Sequence, residues 1–459
     1  MPQEPVPSGH GVSFAEALKV WAKIGITSFG GPAGQIALMH RVLVDEKRWI
    51  GEVRFLHALN YCMLLPGPEA TQLATYIGWL LHRTLGGVVA GAFFVLPGFF
   101  VILGLSALYA GFQQFTVVEG MFFGIKAAVL AIVVHALDRI AKRALRNPAM
   151  ITIALLAFVA IFFFDVAFPV IVVAAAVVGF LGGRLFPQVF AAGAADAAPE
   201  GADAPALDRF FAGGEAEHTR PSTVRAIKVT AVILTLWLAP VAVLIALFGP
   251  ENVYASIGIF FSKMAVVTFG GAYAVLAYVA QEAVNHYGWL APGEMLDGLG
   301  LAETTPGPLI LVTEFVGYLA AFRAPGALPP MLAGILGAVL TTWVTFVPCF
   351  LWIFLGAPYV ERMRGNRQLA SAFTAITAAV VGVVLNLAIW FALHVLFSTV
   401  AEFHFGMLRL FIPEWRSLDI AALVLAAASF FALFRLNVGI IPLVASAAAT
   451  GAAYVLVTG

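Results

Sequence analysis

Two prolines and a glycine stand inside an apolar run at Leu64-Leu65-Pro66-Gly67-Pro68-Glu69-Ala70-Thr71-Gln72, and a carboxylate, a hydroxyl and an amide follow at once. A helix has to stop there and restart. Pro68 suits the first restarted position, where its missing N–H would have had no partner. The N–H groups of the new turn then face the break, and a helix N-terminus carrying about half a positive charge attracts anions. Three further breaks have the same character: Phe29-Gly30-Gly31-Pro32, Phe269-Gly270-Gly271, and Thr304-Thr305-Pro306-Gly307-Pro308. Inside a bilayer such a break is tolerated only where it is packed in protein or lines a wet cavity. Helix ends from both halves of the chain facing one small oxyanion is the chemistry this pattern fits.

Other side chains cluster on the same stretches. Lys23 and Lys263 each lie six residues before an FGG triplet in an apolar arm. A buried lysine costs several kcal/mol unless it is paired or deprotonated, so a matched pair beside two breaks suits an anion site. The alternative is that both snorkel to an interface. Lys126, in the apolar run 116–137, is an ionisable residue of the kind that marks function, although its repeat partner is Thr377. Glu69 and Glu303 flank the two PGP breaks and are candidates for proton coupling. For Glu69 a carboxylate stabilising a helix N-terminus is an equally simple role. Asn60, Thr71, Gln72, Thr304 and Thr305 offer hydrogen bonds to an oxyanion, whereas Thr27, Ser28 and Thr268 suit capping of backbone freed by the glycines. Cys62 and Cys349 sit in apolar segments with no metal or disulfide spacing. No nucleotide-binding loop, HExxH or His/Cys cluster occurs, so no metal, no cofactor and no enzymatic activity is expected.

The elements that position these groups are membrane helices. Of 459 residues 61% are hydrophobic and 11% charged, against about 45–50% and 25% in soluble domains, so the fold class is all-α and polytopic. Residues 1–13 form a polar tail without the marks of a cleaved signal peptide. Residues 14–186 form a first membrane repeat: broken segments 14–44 and 52–82, then apolar runs 85–110, 116–137, 149–165 and 167–186, with kinks expected at Pro97 and Pro169. Residues 187–222 have the composition of a flexible cytoplasmic linker. Residues 223–459 add an extra span, about 224–248, and a second repeat.

The repeat is written in constant offsets. At 240, Lys23 matches Lys263, Phe29-Gly30-Gly31 matches Phe269-Gly270-Gly271, Trp49 matches Trp289 and Pro66-Gly67-Pro68 matches Pro306-Gly307-Pro308; at 251, Pro97 matches Pro348. Basic residues mark the inner face of a membrane. In the first repeat they fall at Arg41, Lys47, Arg48, Arg54 and again at Arg139, Lys142, Arg143, Arg146. In the second the connection 281–297 has none, while Arg362, Arg364 and Arg367 cluster later. One extra span between units of even crossing number turns the second unit over, so an inverted-topology repeat is expected. It has nine full spans if the broken segments are re-entrant and thirteen if they cross.

FGGPAGQI at 29–36, PGPEATQLATYIGW at 66–79, GIKAAVLAIV at 124–133, and later TFGGAYAVL and TTPGPLILVTEFVGY, resemble the chromate transporter (CHR) family in its long, two-domain form, over nearly the whole chain. The resemblance implies a secondary transporter that exports chromate across a bacterial inner membrane, with oppositely oriented units around a central site. Carried over by position, its motifs fall on Gly30, Gly31, Pro32 and Gln35, on Pro66, Gly67, Pro68, Ala70, Thr71 and Gln72, and on Gly124 and Lys126. Ala272 in place of Pro32 and Leu309 in place of Glu69 set the second half apart. A dianion leaving an inside-negative cell gains about 4.6 kcal/mol per 100 mV, roughly a thousandfold gradient, so exchange for protons adds to export without being required. The N-terminus and linker are expected in the cytoplasm and the C-terminus in the periplasm. Expected partners are chromate or a sulfate-like oxyanion, the lipid bilayer and, as an option, a second copy in a homodimer, but no nucleic acid. A lipid-phosphate flippase or enzyme is the alternative. It would want arginines in the breaks, and here the arginines sit in the connections.

Overall fold

Serine, asparagine and proline open the first helices, and short polar closures end them. Ser13 accepts the Glu16 N–H at 3.2 Å to start α1 (Phe14–Thr27). Thr27 Oγ1 and Ser28 Oγ then donate to the carbonyls of Lys23 (2.7 Å) and Gly25 (3.0 Å) and end it. The structure, a computed structural model, describes residues 11–29, 31–63, 65–112, 115–190, 205–212, 217–269, 272–291, 293–359, 367–406 and 408–458. In the first half follow α2 (Gly31–His40, continued by a π turn Arg41–Glu46), α3 (Glu52–Cys62), α4 (Glu69–Phe112), α5 (Thr116–Ala144), α6 (Pro148–Phe164), α7 (Phe168–Leu185) and α8 (Pro187–Phe190). Then come α9 (Ala206–Ala212) and α10 (Thr223–Phe248). The second half has α11 (Val253–Val267), α12 (Ala272–Gln281, with a π turn Glu282–His286), α13 (Glu294–Thr304), α14 (Val312–Arg323), α15 (Pro330–Gly356), α16 (Arg367–Leu396), α17 (Ile420–Phe434) and α18 (Ile440–Thr458). The chain is an all-α polytopic membrane protein. Seven described helices, α4, α5, α7, α10, α15, α16 and α18, are long and apolar enough to cross a bilayer.

Local details repeat at the offset read from the sequence. After each π turn, Arg48 and Gly288 take positive φ (52° and 61°), and the following Trp49 and Trp289 donate their N–H to Leu43 O (2.9 Å) and Ala283 O (2.8 Å). α4 folds back at His82 and Arg83, which have non-helical dihedrals. Its two limbs touch so closely at Gly78 and Gly86 that a methyl group on Gly86 would lie 2.3 Å from Gly78 O. The boundary expected between runs 52–82 and 85–110 is this hinge.

Each half supplies a helix to the other's core. Leu351, Ile353 and Phe354 of α15 are buried in one core with Trp21, Leu43, Phe55 and Leu80 of the first half. Val95, Ile102 and Tyr109 of α4 are buried in the other with Phe260, Leu296 and Phe315 of the second half. α5 packs along α18 with almost no space between backbones, since a methyl group on Gly124 would lie 1.9 Å from Ala447 O.

Three features depart from the sequence reading. Pro169 stands in the first turn of α7 and starts that helix instead of kinking it. Within the segment read as a linker, α9 is docked: Ala206 and Leu207 donate to the carbonyls of Arg48 (3.0 Å) and Trp49 (2.9 Å), and Asp208 accepts from Gly51 N (2.6 Å) and Arg54 Nε (2.8 Å). Between α16 and α17 an antiparallel hairpin, β1 (Val400–Phe405) with β2 (Leu408–Pro413), interrupts the helices. Arg409 on β2 is buried, with Nη1 2.8 Å from Asp165 and Nη2 donating to Ile161 O at 2.9 Å, so the hairpin is pinned to the turn between α6 and α7.

The α5–α18 contact gives a direct test of packing. Gly124→Leu is expected to remove most monodisperse protein in detergent chromatography, because a side chain forced into a closed contact costs roughly 1–3 kcal/mol or more. Gly104→Leu, at a position with nothing within 4 Å, is expected to leave the profile unchanged.

Candidate functional site

The breaks of the two halves lock onto each other. Gly67 N–H donates to the carbonyl of Thr268 at 2.8 Å, and Gly307 N–H donates to the carbonyl of Ser28 at 2.9 Å, with Ser28 Oγ at 3.1 Å from the same nitrogen. Each bond joins the PGP break of one half to the end of the first helix in the other, and the two bonds relate residues 240 apart. The two contacts are reciprocal: 67 meets 268, and 307 meets 28. Both glycines have positive φ, 116° and 90°, which an L side chain adopts only under strain. Cys349 and Gly98, which follow the matched prolines of α15 and α4, close over them. A methyl group on Gly67 would meet Cys349 Sγ at 3.1 Å, and one on Gly307 would meet Gly98 Cα at 3.3 Å.

Two amides complete the crossing. Gln35 Nε2 reaches across to Gly307 O at 2.5 Å, and Gln72 Nε2 bridges its own break to Pro66 O at 2.6 Å. Both are buried, and the other end of each, Oε1, has no hydrogen-bond partner among the described residues. Thr71 Oγ1 and one oxygen of Glu303 are in the same condition. A buried polar atom left without a partner costs about 1–3 kcal/mol, so four of them around one crossing make it the candidate site.

Glu303 occupies the second-last position of α13 and is 1% exposed. Its Oε1 accepts from the Tyr273 hydroxyl of α12. Oε2, the unpartnered oxygen, would lie 4.0 Å from a methyl group on Gly31, and the Tyr273 hydroxyl would lie 3.9 Å from it. Gly31 has φ +67° and opens α2, with Pro32 next. Bare backbone of the first half therefore faces a carboxyl and a phenol of the second.

The remaining sequence candidates fall elsewhere or are already engaged. The Lys23 side chain is 64% exposed and stands 3.9 Å from Glu46. Lys263 is exposed on the outer side of α11. Neither is brought to a break. Lys126 stands 3.3 Å from Asp297, a buried carboxylate that also accepts from Tyr109 OH at 2.9 Å. Glu69 is the first residue of α4. Thr304 and Thr305 donate to carbonyls of their own helix, Leu301 O at 2.9 Å and Ala302 O at 3.1 Å, which leaves their lone pairs and not their protons for a ligand. Pro66, Pro68, Pro306 and Pro308 set the breaks themselves, and the carbonyl of Pro306 sits where any side chain on Gly98 would fall. Gly30, Gly270 and Gly271, and the side chain of Asn60, lie outside the described residues. The sequence reading passed over Asp297, Tyr273 and Glu314. Glu314 is fully buried on α14, with neither oxygen partnered among the described residues. The rule that singled out Lys126, an ionisable group in an apolar run, applies equally to these two acids.

A family profile described as chromate transporter matches residues 15–180 and 255–452, two regions that begin 240 residues apart. The chain belongs to the chromate transporter family. It is similar to a chromate transport protein of Pseudomonas aeruginosa, 31% identical over 428 residues and 91% of each chain. It is also similar to a chromate transport protein of Cupriavidus metallidurans, 29% identical over 362 residues, 79% of this chain and 78% of that one. An uncharacterized transporter of Bacillus subtilis is 30% identical over 146 residues, 32% of this chain but 71% of its own, so a polypeptide of about one repeat exists. No solved structure matches. Within this chromate transporter family chain, the motif residues Gly31, Gln35, Gly67 and Gln72 meet at the crossing. Gly124 serves helix contact, and Lys126 belongs to the Asp297 pair.

Two measurements check this division. Gly67→Ala and Gly307→Ala should each lower the melting temperature in detergent, at a cost of roughly 1–3 kcal/mol for a strained backbone, while Gly111→Ala, in open space, should not. Lys126→Ala should destabilise by up to about 3–5 kcal/mol, because it strands the buried Asp297 charge, and Asp297→Asn in the same chain should restore most of the loss.

Proposed function

We propose that the protein exports chromate, a tetrahedral dianion, from the cytoplasm across the bacterial inner membrane, with sulfate as the chemically closest competitor. The observation that carries this reading is the crossing of the breaks, where the N-termini of α2 and α4 lie beside Gln35, Gln72 and Thr71, whose amide and hydroxyl hydrogens can be donated to an anion. The first-turn N–H groups of a helix have no intrahelical partner, and with the helix dipole they favour an anion. The names of the relatives supply the anion's identity. Chromate and sulfate share shape and charge, so the site is expected to accept both.

The two-fold relation between the breaks, combined with the opposite distribution of Lys and Arg, supports units of inverted orientation. Their axis then lies in the membrane plane, and rocking one unit against the other opens the site to either side in turn. On this reading the N-terminus and the linker face the cytoplasm and the C-terminus the periplasm. The proposed binding residues are Gly31, Gln35, Gly67, Thr71, Gln72, Glu303 and Gly307. Lys23 and Lys263 are left out, because an exposed lysine beside an outward face suits an interface better than a site. Outward movement runs down the membrane potential, and exchange for protons is not needed to drive it.

Flux in everted vesicles tests the proposal. Chromate uptake above that of vesicles lacking the protein is expected, faster when the interior is made positive and reduced by sulfate. Gln35→Ala should lower it about tenfold, the equivalent of one hydrogen bond, at equal protein level. Lys23→Ala and Lys263→Ala should stay within about twofold of the parent. Absence of chromate flux, or indifference to Gln35→Ala, would overturn the reading.

A further inference from the structure

An anion site with a carboxyl in its wall poses an electrostatic problem. The unpartnered Oε2 of Glu303 is aimed at Gly31, the first residue of α2, and no side chain stands between them at that position. An oxyanion held by the α2 N-terminus would sit against that oxygen. If Glu303 is ionised, like charges meet in a buried place and the anion is expelled. If it is protonated, the same oxygen becomes a donor and the repulsion turns into a hydrogen bond. The Tyr273 hydroxyl donates to Oε1 in either state, which leaves Oε2 to carry the proton. The titratable and charged groups that act on this carboxyl, among the described residues, are Tyr273 from α12 and, more remotely, the charge of Arg139 from α5.

We infer that Glu303 binds a proton together with the anion, so that one proton and one oxyanion occupy the crossing at the same time and are carried in the same direction. This rests on the transport reading above and replaces exchange with co-transit. A proton from the solution on the loading side joins the Glu303 carboxylate, the resulting O–H donates to the oxyanion, and on the far side anion and proton both leave. For a dianion the charge moved per cycle falls from two to one. The linkage is reciprocal: the anion raises the affinity for the proton by the factor by which the proton raises the affinity for the anion.

Proton uptake on binding tests this in the purified full chain in weakly buffered detergent solution, with sodium sulfate as the probe and chromate second. Sulfate stays a dianion through the neutral range, so any proton taken up belongs to the protein. Uptake of about one proton per sulfate bound is expected above neutral pH, with an affinity that falls about tenfold per pH unit there. Glu303→Gln keeps a donor but cannot titrate. It should bind sulfate with a pH-independent affinity and take up no proton. Tyr273→Phe, which leaves the carboxyl in place, should retain proton uptake and move its pH midpoint. Binding by the parent without proton uptake, proton release on binding, or uptake that survives in Glu303→Gln would each overturn the inference while leaving the anion site standing. Failure of the parent to bind either anion at any pH would overturn the transport reading and this one with it.

Discussion

Two backbone hydrogen bonds, Gly67 to Thr268 and Gly307 to Ser28, hold the architecture together. In lipid every backbone polar group must find a partner within the protein, and a helix broken at proline and glycine leaves several without one. Here each half satisfies the other's break. The arrangement explains why both glycines sit at backbone angles that other residues adopt only under strain, why Cys349 and Gly98 are packed against them, and why Gln35 spans from one half to the other. It also explains the exchange of core helices. With breaks bonded crosswise, the limb of α4 beyond the hinge and the matching α15 are carried onto the opposite half.

Charge inside the protein is distributed unequally between the halves. The second half holds the buried acids Asp297, Glu303 and Glu314, and among the described residues only Asp297 has a basic partner, Lys126, brought in from the first half. At positions matching His57, Met63 and Ala74, the first half carries none of these carboxylates. The matched breaks of the two halves are therefore not accompanied by matched buried charge. The docked α9 adds a smaller asymmetry: Asp208 serves Arg54 in the first half, whereas in the second the matched residue, Glu294, is served by Arg323 of α14.

The breaks were legible because proline and glycine act through the backbone, where the sequence speaks locally, and the duplication was legible because its offset is constant. The misplacement of the lysines has a physical cause that was also readable. On α1 the buried residues Ala17, Val20, Trp21 and Ile24 make one stripe, and Lys23 falls off it, facing outward. Glu303 was identified as flanking a break, but its pairing with Tyr273 joins residues 30 apart and no local rule reports it. The hairpin Val400–Pro413 alternates and turns at Gly406, where φ is +63°, yet its apolar residues resemble those of the spans around it. Docking of α9 joins Ala206, Leu207 and Asp208 to a loop more than 150 residues away, and composition is blind to such contacts.

The crosswise bonds also impose an order on biosynthesis. Residues 28 and 67 are inserted long before 268 and 307 exist, and at about 5–20 residues per second the first half waits roughly ten seconds to a minute for its partners. During that interval the Gly67 N–H and the Ser28 carbonyl must be hydrated or shielded by something other than their final mates. The first half is thus inserted with its centre unfinished, and that centre can close only after the second half reaches residue 307.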